Sequence, residues 1–168
     1  SCPAGYASAD PAVSRARIDS GRLDVGVIRG LGVYRQGRRI DGIDVVDGDL
    51  PGTPGLADAV QKMADIAREE EESFAWIGLS QPTIEEIELM GQMFGLEHLY
   101  LEDSLNPHQP TKLDPQTDYD FIVMKILTYL DSTSDVETGQ ISVFIGEWFI
   151  VTIRLGPLGE LGTVRQAL

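Results

Sequence analysis

The chain has 168 residues, a formal net charge of −14 and 42% hydrophobic residues. That is enough apolar material for one domain with a sizeable core and marginal for two. Acids outnumber bases 27 to 13, which argues against a nucleic-acid-binding domain, and one cysteine excludes an intramolecular disulfide framework and a zinc–cysteine cluster.

The charge is uneven. Residues 1–40 hold seven arginines and three aspartates, a net +4, whereas residues 41–168 hold 24 acids and six bases, a net −18. Residues 1–24 show no sustained periodicity and read as a flexible tail, followed by one domain over 25–168. Ser1–Leu31 contains no continuous apolar run of the secretory type. No window of about 18 residues is apolar enough to span a bilayer; the best stretch, Ile141–Ile153, is short and carries Glu147.

Val25–Arg35 and Arg38–Val46 read as a hairpin around Gln36-Gly37, and Asp47–Gly55 is a loop by composition. Leu56–Glu72 reads as a helix with Thr53 as N-cap, Pro54 at its first position and Leu56, Val60, Met63 and Ala67 on one face. The acidic run Glu69–Glu72 opposes the helix dipole, so fraying is expected there. Ser73–Leu79 is apolar and reads as a buried strand. Thr83 and Glu86 have capping-box spacing, and Ile84, Ile87, Met90, Met93 and Phe94 form a helical stripe that Gly95 and Leu96 should end.

A short helix over about Glu97–Leu105 follows, closed by Asn106-Pro107. Tyr119–Leu130 is apolar on both alternating faces and predicts a strand covered on both sides. Asp131–Gly139 reads as a polar turn. Gln140–Ile145 and Trp148–Leu155 then form a hairpin around Gly146-Glu147, and Leu158–Leu168 starts another helix. The alternation of hairpins and helices predicts an α/β fold: a mixed, largely antiparallel sheet with helices on both faces.

Catalytic signatures are missing: the sequence has no GxxxxGK[ST], no GxGxxG after a strand, no HExxH and no GxSxG. His98 and His108 lie ten residues apart and make a poor metal pair. A non-enzymatic role is therefore expected. The feature with most chemistry is the adjacent pair Glu102-Asp103 near the end of a short helix, which repels itself and the helix dipole unless a cation or donor neutralises it. Magnesium suits such a pair, because it prefers oxygen ligands, keeps several waters and often takes only one or two carboxylates. Lys112 and His108 are candidates to close a loop beside the pair, a structural alternative to cation binding.

Four pieces in order, FAWIGLSQPT, FGLEHLYLEDSLNPHQPTKL, YDFIVMKILTYL and ISVFIGEWFIVTIR, with the earlier VYRQGRRI, resemble the cytoplasmic N-terminal domain of CorA-type magnesium transporters. The resemblance covers about residues 25–168. It implies the α/β/α sandwich of that soluble domain. The family's usual His-Gln-Arg-Pro-Lys is His108-Gln109-Pro110-Thr111-Lys112 here, so any contact made by that arginine is lost. The resemblance further implies a homopentameric Mg²⁺/Co²⁺ channel in the cell membrane. This chain would lie on the cytoplasmic side and touch the membrane only through a C-terminal stalk and two transmembrane helices that would follow Leu168.

In that family, divalent ions bound between neighbouring subunits favour the closed state, and the Glu-Asp of the Leu-Glu-Asp motif contributes. Carried over, the metal residues are Asp103, as direct or water-mediated ligand, and Glu102 in support. Without the opposing stalk carboxylate, Mg²⁺ binding by this chain alone is expected to be weak. A zinc-transporting relative with the same fold and a free-standing interaction module are the alternatives.

Overall fold

The computed structural model describes residues 27–43, 53–130 and 135–156. The element order is β1 (Val27–Arg35), β2 (Arg38–Ile43), α1 (Thr53–Glu69), β3 (Ser73–Ser80), α2 (Ile84–Phe94), α3 (His98–Leu105), β4 (Lys112–Pro115), β5 (Tyr119–Leu130), β6 (Asp135–Gly146) and β7 (Phe149–Leu155). The seven strands form one sheet in the order β2-β1-β3-β7-β6-β5-β4. Only β3 and β7 run parallel; the other five pairs are antiparallel. This is the expected mixed, mainly antiparallel α/β fold. The parallel pair sits mid-sheet because α2, α3 and the β4–β6 strands carry the chain back across the sheet before β7.

Local chemistry accounts for most of these elements. Gln36 and Gly37 take left-handed backbone, φ 48° and 73°, as a tight hairpin turn with right-handed twist requires. The expected capping box is present: the Glu86 N–H donates to Thr83 Oγ1 and the Thr83 N–H to Glu86 Oε2. Gly95 closes α2 in the left-handed region at φ 65°, and the Leu96 N–H returns to the Gly91 carbonyl.

One core joins the sheet to the helices. Leu56, Val60, Met63 and Ala67 of α1, with Ile87, Met90 and Phe94 of α2, pack with Leu31, Val33, Ala75, Ile77, Phe121, Phe144 and Val151. The α1 helix lies on β1 and β3, and α2 bridges α1 and α3. All three described helices share that core and so lie on one face of the sheet; the expected helices on the other face are not found among the described residues.

Several expectations change. The first helix ends at Glu69, not Glu72, because Glu72 adopts a positive φ of 59° that turns the chain into β3. Thr53 is itself helical rather than the cap. Ile84 opens α2 on the solvent side at 65% exposure, outside the stripe formed by Ile87, Met90 and Phe94. The long strand is not covered on both faces: one face is buried over its first half only, and the other carries the half-buried Ile122 and Met124 at 43% exposure. Phe121 and Val123 are buried, whereas Leu127 and Tyr129 are 70% and 60% exposed, since β5 and β6 run on as a hairpin beyond the helical layer. Residues 135–139 are strand, not turn, and pair with the end of β5. The strand β4 is an element the hydropathy pattern does not announce. The expected tail over 1–24 and the helix over Leu158–Leu168 lie outside the described residues.

Candidate metal-responsive site

The site is built at the C-terminal end of α3. Leu101 buries this helix against α2, and Gly91 supplies the room: a Cβ there would fall 2.5 Å from Leu101 Cδ1. At its start the Glu97 N–H donates to the Tyr119 hydroxyl, 3.0 Å away. Burial raises the pKa of that phenol above its ordinary 10.0. At its end the Asn106 N–H returns to the Asp103 carbonyl, and Asn106 Oδ1 accepts from the His108 N–H, which shapes the Asn-Pro turn. The turn is tied to the sheet by Lys125, whose Nζ donates to the Pro107 carbonyl and to Gln140 Oε1.

The chain then enters β4, whose residues pair with β5 in the register Lys112↔Val123 and Asp114↔Phe121. Strand alternation puts Lys112 and Asp114 on the same face and leaves Leu113, at 60% exposure, on the other. On that shared face Lys112 meets α3. Its Nζ lies 2.7 Å from Asp103 Oδ2 and 2.9 Å from Asp114 Oδ2. The same ammonium stands 5.4 Å from the Tyr100 ring and 5.2 Å from the Phe121 ring. Both rings add cation–π attraction. Gln116 Nε2 donates to the Tyr100 hydroxyl at 2.6 Å and fixes the outer ring.

The two expected site residues therefore part company. Asp103, with its side chain 19% exposed, faces the sheet and holds Lys112. Glu102, 67% exposed, faces solvent beside His98, 3.7 Å away. Consecutive helical residues diverge by about 100° around the axis, so the adjacent acids cannot converge on one point. Lys112 takes the expected loop-closing role, while His108 is exposed and enters through its backbone N–H. Asp114, Tyr100 and Phe121 are the members that the sequence reading does not single out. The one available signal is the Lys-x-Asp spacing of residues 112–114, which gains meaning only once those residues form a strand.

Hydrogen bonds donated by the ammonium to the two aspartates, Asp103 first, raise the Lys112 pKa above 10.5. The ammonium is thus better stabilised in the folded chain than in the unfolded one. The associated stability is complete below pH 10.5 and is lost as pH rises through the higher folded value. Urea unfolding of the parental chain and Lys112→Met should accordingly differ by a constant amount at neutral and mildly alkaline pH. The difference should shift against the parental chain above pH 10.5. A difference that does not move with alkali would show that the ammonium gains nothing from its carboxylates.

Among the described residues no group of three or more His, Cys, Asp or Glu side chains is placed to hold a metal ion. No helix among them is long and apolar enough to cross a membrane. What the cluster offers is a partly buried, cation-holding pair of carboxylates at the edge of the sheet, with a further acid, Glu102, on its outer side.

Residues 71–168 match the family model described as CorA-like Mg2+ transporter protein. The chain is 37% identical over 59 residues to the Cobalt/magnesium transport protein CorA of Thermotoga maritima, a match covering 35% of this chain and 17% of that protein. Its fold resembles the complete structure of the CorA magnesium transporter from Methanocaldococcus jannaschii, at TM-score 0.50 and 14% identity over 87% of this chain and 37% of that one. It also resembles the full-length CmaX protein, at TM-score 0.52 and 14% identity over 83% of this chain and 39% of that one. The matched part is thus well under half of each relative's length. The family model spans more than half of the chain, and with the mixed seven-stranded sheet and its three helices it places this protein in the CorA-like Mg²⁺ transporter family.

Proposed function

We propose that this chain is the cytoplasmic, divalent-cation-sensing domain of a homopentameric Mg²⁺/Co²⁺ channel of the cell membrane. Cation bound between neighbouring subunits favours the closed state, with Asp103 as direct or water-mediated ligand and Glu102 in support. Membership of the CorA-like family carries this reading.

The chemistry of the site supports it. Mg²⁺ asks for hard oxygen donors and retains water, so one or two carboxylates from a chain are enough when a neighbour supplies the rest. The Asp103 and Asp114 oxygens already converge on a cation, the Lys112 ammonium. The acid excess of residues 41–168 makes adjoining subunits repel, and a divalent ion that bridges them only in the closed arrangement shifts the population towards it.

A thermal melt of this chain against Mg²⁺, Co²⁺ and Zn²⁺, beside Asp103→Ala, tests the reading. Affinity of a single chain should fall near 10⁻³ M, roughly that of sites with few charged ligands. At about ten times that concentration a ligand specific to the folded state stabilises by about 1.4 kcal/mol, which raises Tm by about 3–5 °C in a domain of this size. Asp103→Ala should abolish the rise. A rise of equal size in the variant would remove Asp103 from the site, and a rise with Zn²⁺ alone would favour a zinc-transporting relative.

A further inference from the structure

The geometry points to Lys112 as the residue that sets the cation sensitivity of the Asp103 site: its ammonium is a built-in monovalent competitor, shared between Asp103 and Asp114, that a divalent ion must displace or work against. The inference rests on the reading of Asp103 as a cation ligand and adds to it a regulator within the same chain.

The cluster is a built one. Three polar groups come from two successive elements of different kind: Asp103 from α3, Lys112 and Asp114 from β4. The Asp103 and Lys112 side chains are 19% and 25% exposed, so bulk water screens them incompletely. Two aromatic rings wall the ammonium in, Tyr100 from α3 and Phe121 from β5. Phe121 is fully buried, and Tyr100 is held by Gln116. The ammonium therefore has a defined position against one Asp103 oxygen and cannot swing aside as freely as a surface lysine would.

The electrostatic consequence follows from charge and distance. With Lys112 in place, Asp103, Lys112 and Asp114 together carry one negative charge rather than two. A divalent ion at Asp103 would lie within a few ångströms of a fixed positive charge. Even with the dielectric of bulk water, a divalent and a monovalent cation about 5 Å apart repel by enough to weaken binding about tenfold. Removing the charge leaves two carboxylates that both reached the same Nζ, at 2.7 and 2.9 Å, and which are thus close enough to share a hydrated ion. Lys112 acts through the aspartates and is a positioning residue. By holding the threshold high, it would keep the site empty until the divalent concentration is substantial.

Titration calorimetry with MgCl₂ on the 168-residue chain, checked by the Mg²⁺-dependent shift of the melting temperature, tests this in four proteins: parental, Lys112→Met, Lys112→Arg and Lys112→Met with Asp103→Ala. Methionine keeps the length and apolar stem of lysine without the charge. Expected is a Mg²⁺ midpoint about tenfold lower in Lys112→Met, parental-like behaviour in Lys112→Arg, and no binding in the double variant. An unchanged or higher midpoint in Lys112→Met would overturn the inference. If Asp103→Ala still abolished binding, the reading of Asp103 would stand without it. Tighter binding that survives loss of Asp103 would overturn both. The absence of any Mg²⁺ response in Lys112→Met at about 10 mM would also overturn the inference, because that variant exposes the carboxylate pair within a single chain. Each variant is first compared by urea unfolding, so a failure to fold is not read as a failure to bind.

Discussion

Phe144→Ala should destabilise the domain by about 3–5 kcal/mol, the usual cost of truncating a fully buried phenylalanine. Phe144 is 0% exposed and lies in β6, near the middle of the sheet. Its ring is 4.7 Å from Phe121 and 5.7 Å from Tyr119, so truncation removes partners from two further aromatic residues. Neighbours held in a sheet by hydrogen bonds on both sides collapse poorly into the space left behind, which favours the upper part of the range. Set against a total stability of about 5–15 kcal/mol, this is a large fraction, and Tm should drop by about 10 °C.

Leu127→Ala in the neighbouring strand is the control. That side chain is 70% exposed, and its loss should change stability by no more than about 0.5 kcal/mol. Urea unfolding followed by circular dichroism compares the two. A loss below about 1 kcal/mol for Phe144→Ala would mean that the aromatic layer can repack, contrary to the argument. The variant also bears on the site, because Phe121 lies between Phe144 and Lys112: a loosened Phe121 ring relaxes the wall of the ammonium cage.

Gly146→Ala should cost about 2–3 kcal/mol, near the top of the range for overpacking. Gly146 ends β6 at the turn into β7. A Cβ there would fall 2.6 Å from Cδ1 and from Cζ of Phe149, and closer still to Cε1. The ring has little freedom to retreat. Phe149 is 3% exposed, with Phe94 4.8 Å away on the helix side and Trp148 5.1 Å away beside it. Trp148 is itself covered by the Arg68 guanidinium at 3.9 Å.

The glycine is thus required by close approach rather than by a left-handed backbone, and the steric origin can be tested. Phe149→Leu in the Gly146→Ala background should recover part of the loss, with a favourable coupling energy of about 1 kcal/mol in a double-mutant cycle. Strict additivity would place the cost of alanine in the backbone instead of in the ring.

Much of the fold is legible in the sequence because its signals are local. Thr83 and Glu86 close a capping box within four residues, and Gly95 offers the backbone conformation that ends a helix. Gln36-Gly37 fixes the first hairpin, and the stripe Leu56, Val60, Met63 and Ala67 is the buried face of α1. Hydrophobic pattern alone misleads where burial depends on what lies opposite. Leu127 and Tyr129 continue the alternation of Phe121 and Val123, yet lie exposed because no described helix reaches that end of the hairpin.

By itself the sequence determined most of the elements, the mixed sheet, the family resemblance and the candidate acid Asp103, but not β4. Only the tertiary structure decided what Asp103 is doing. Its separation from Glu102 follows from helical geometry, and its partner Lys112 comes from a four-residue edge strand that no hydropathy pattern announces and that forms only by pairing with β5. That register brings Asp114 and the Phe121 ring to the ammonium, and the packing of α3 adds the Tyr100 ring. Caps and turns are set by neighbours in the chain, whereas this charge cluster is set by how α3 packs over the β4–β5 hairpin, which the hydropathy pattern along the chain does not show.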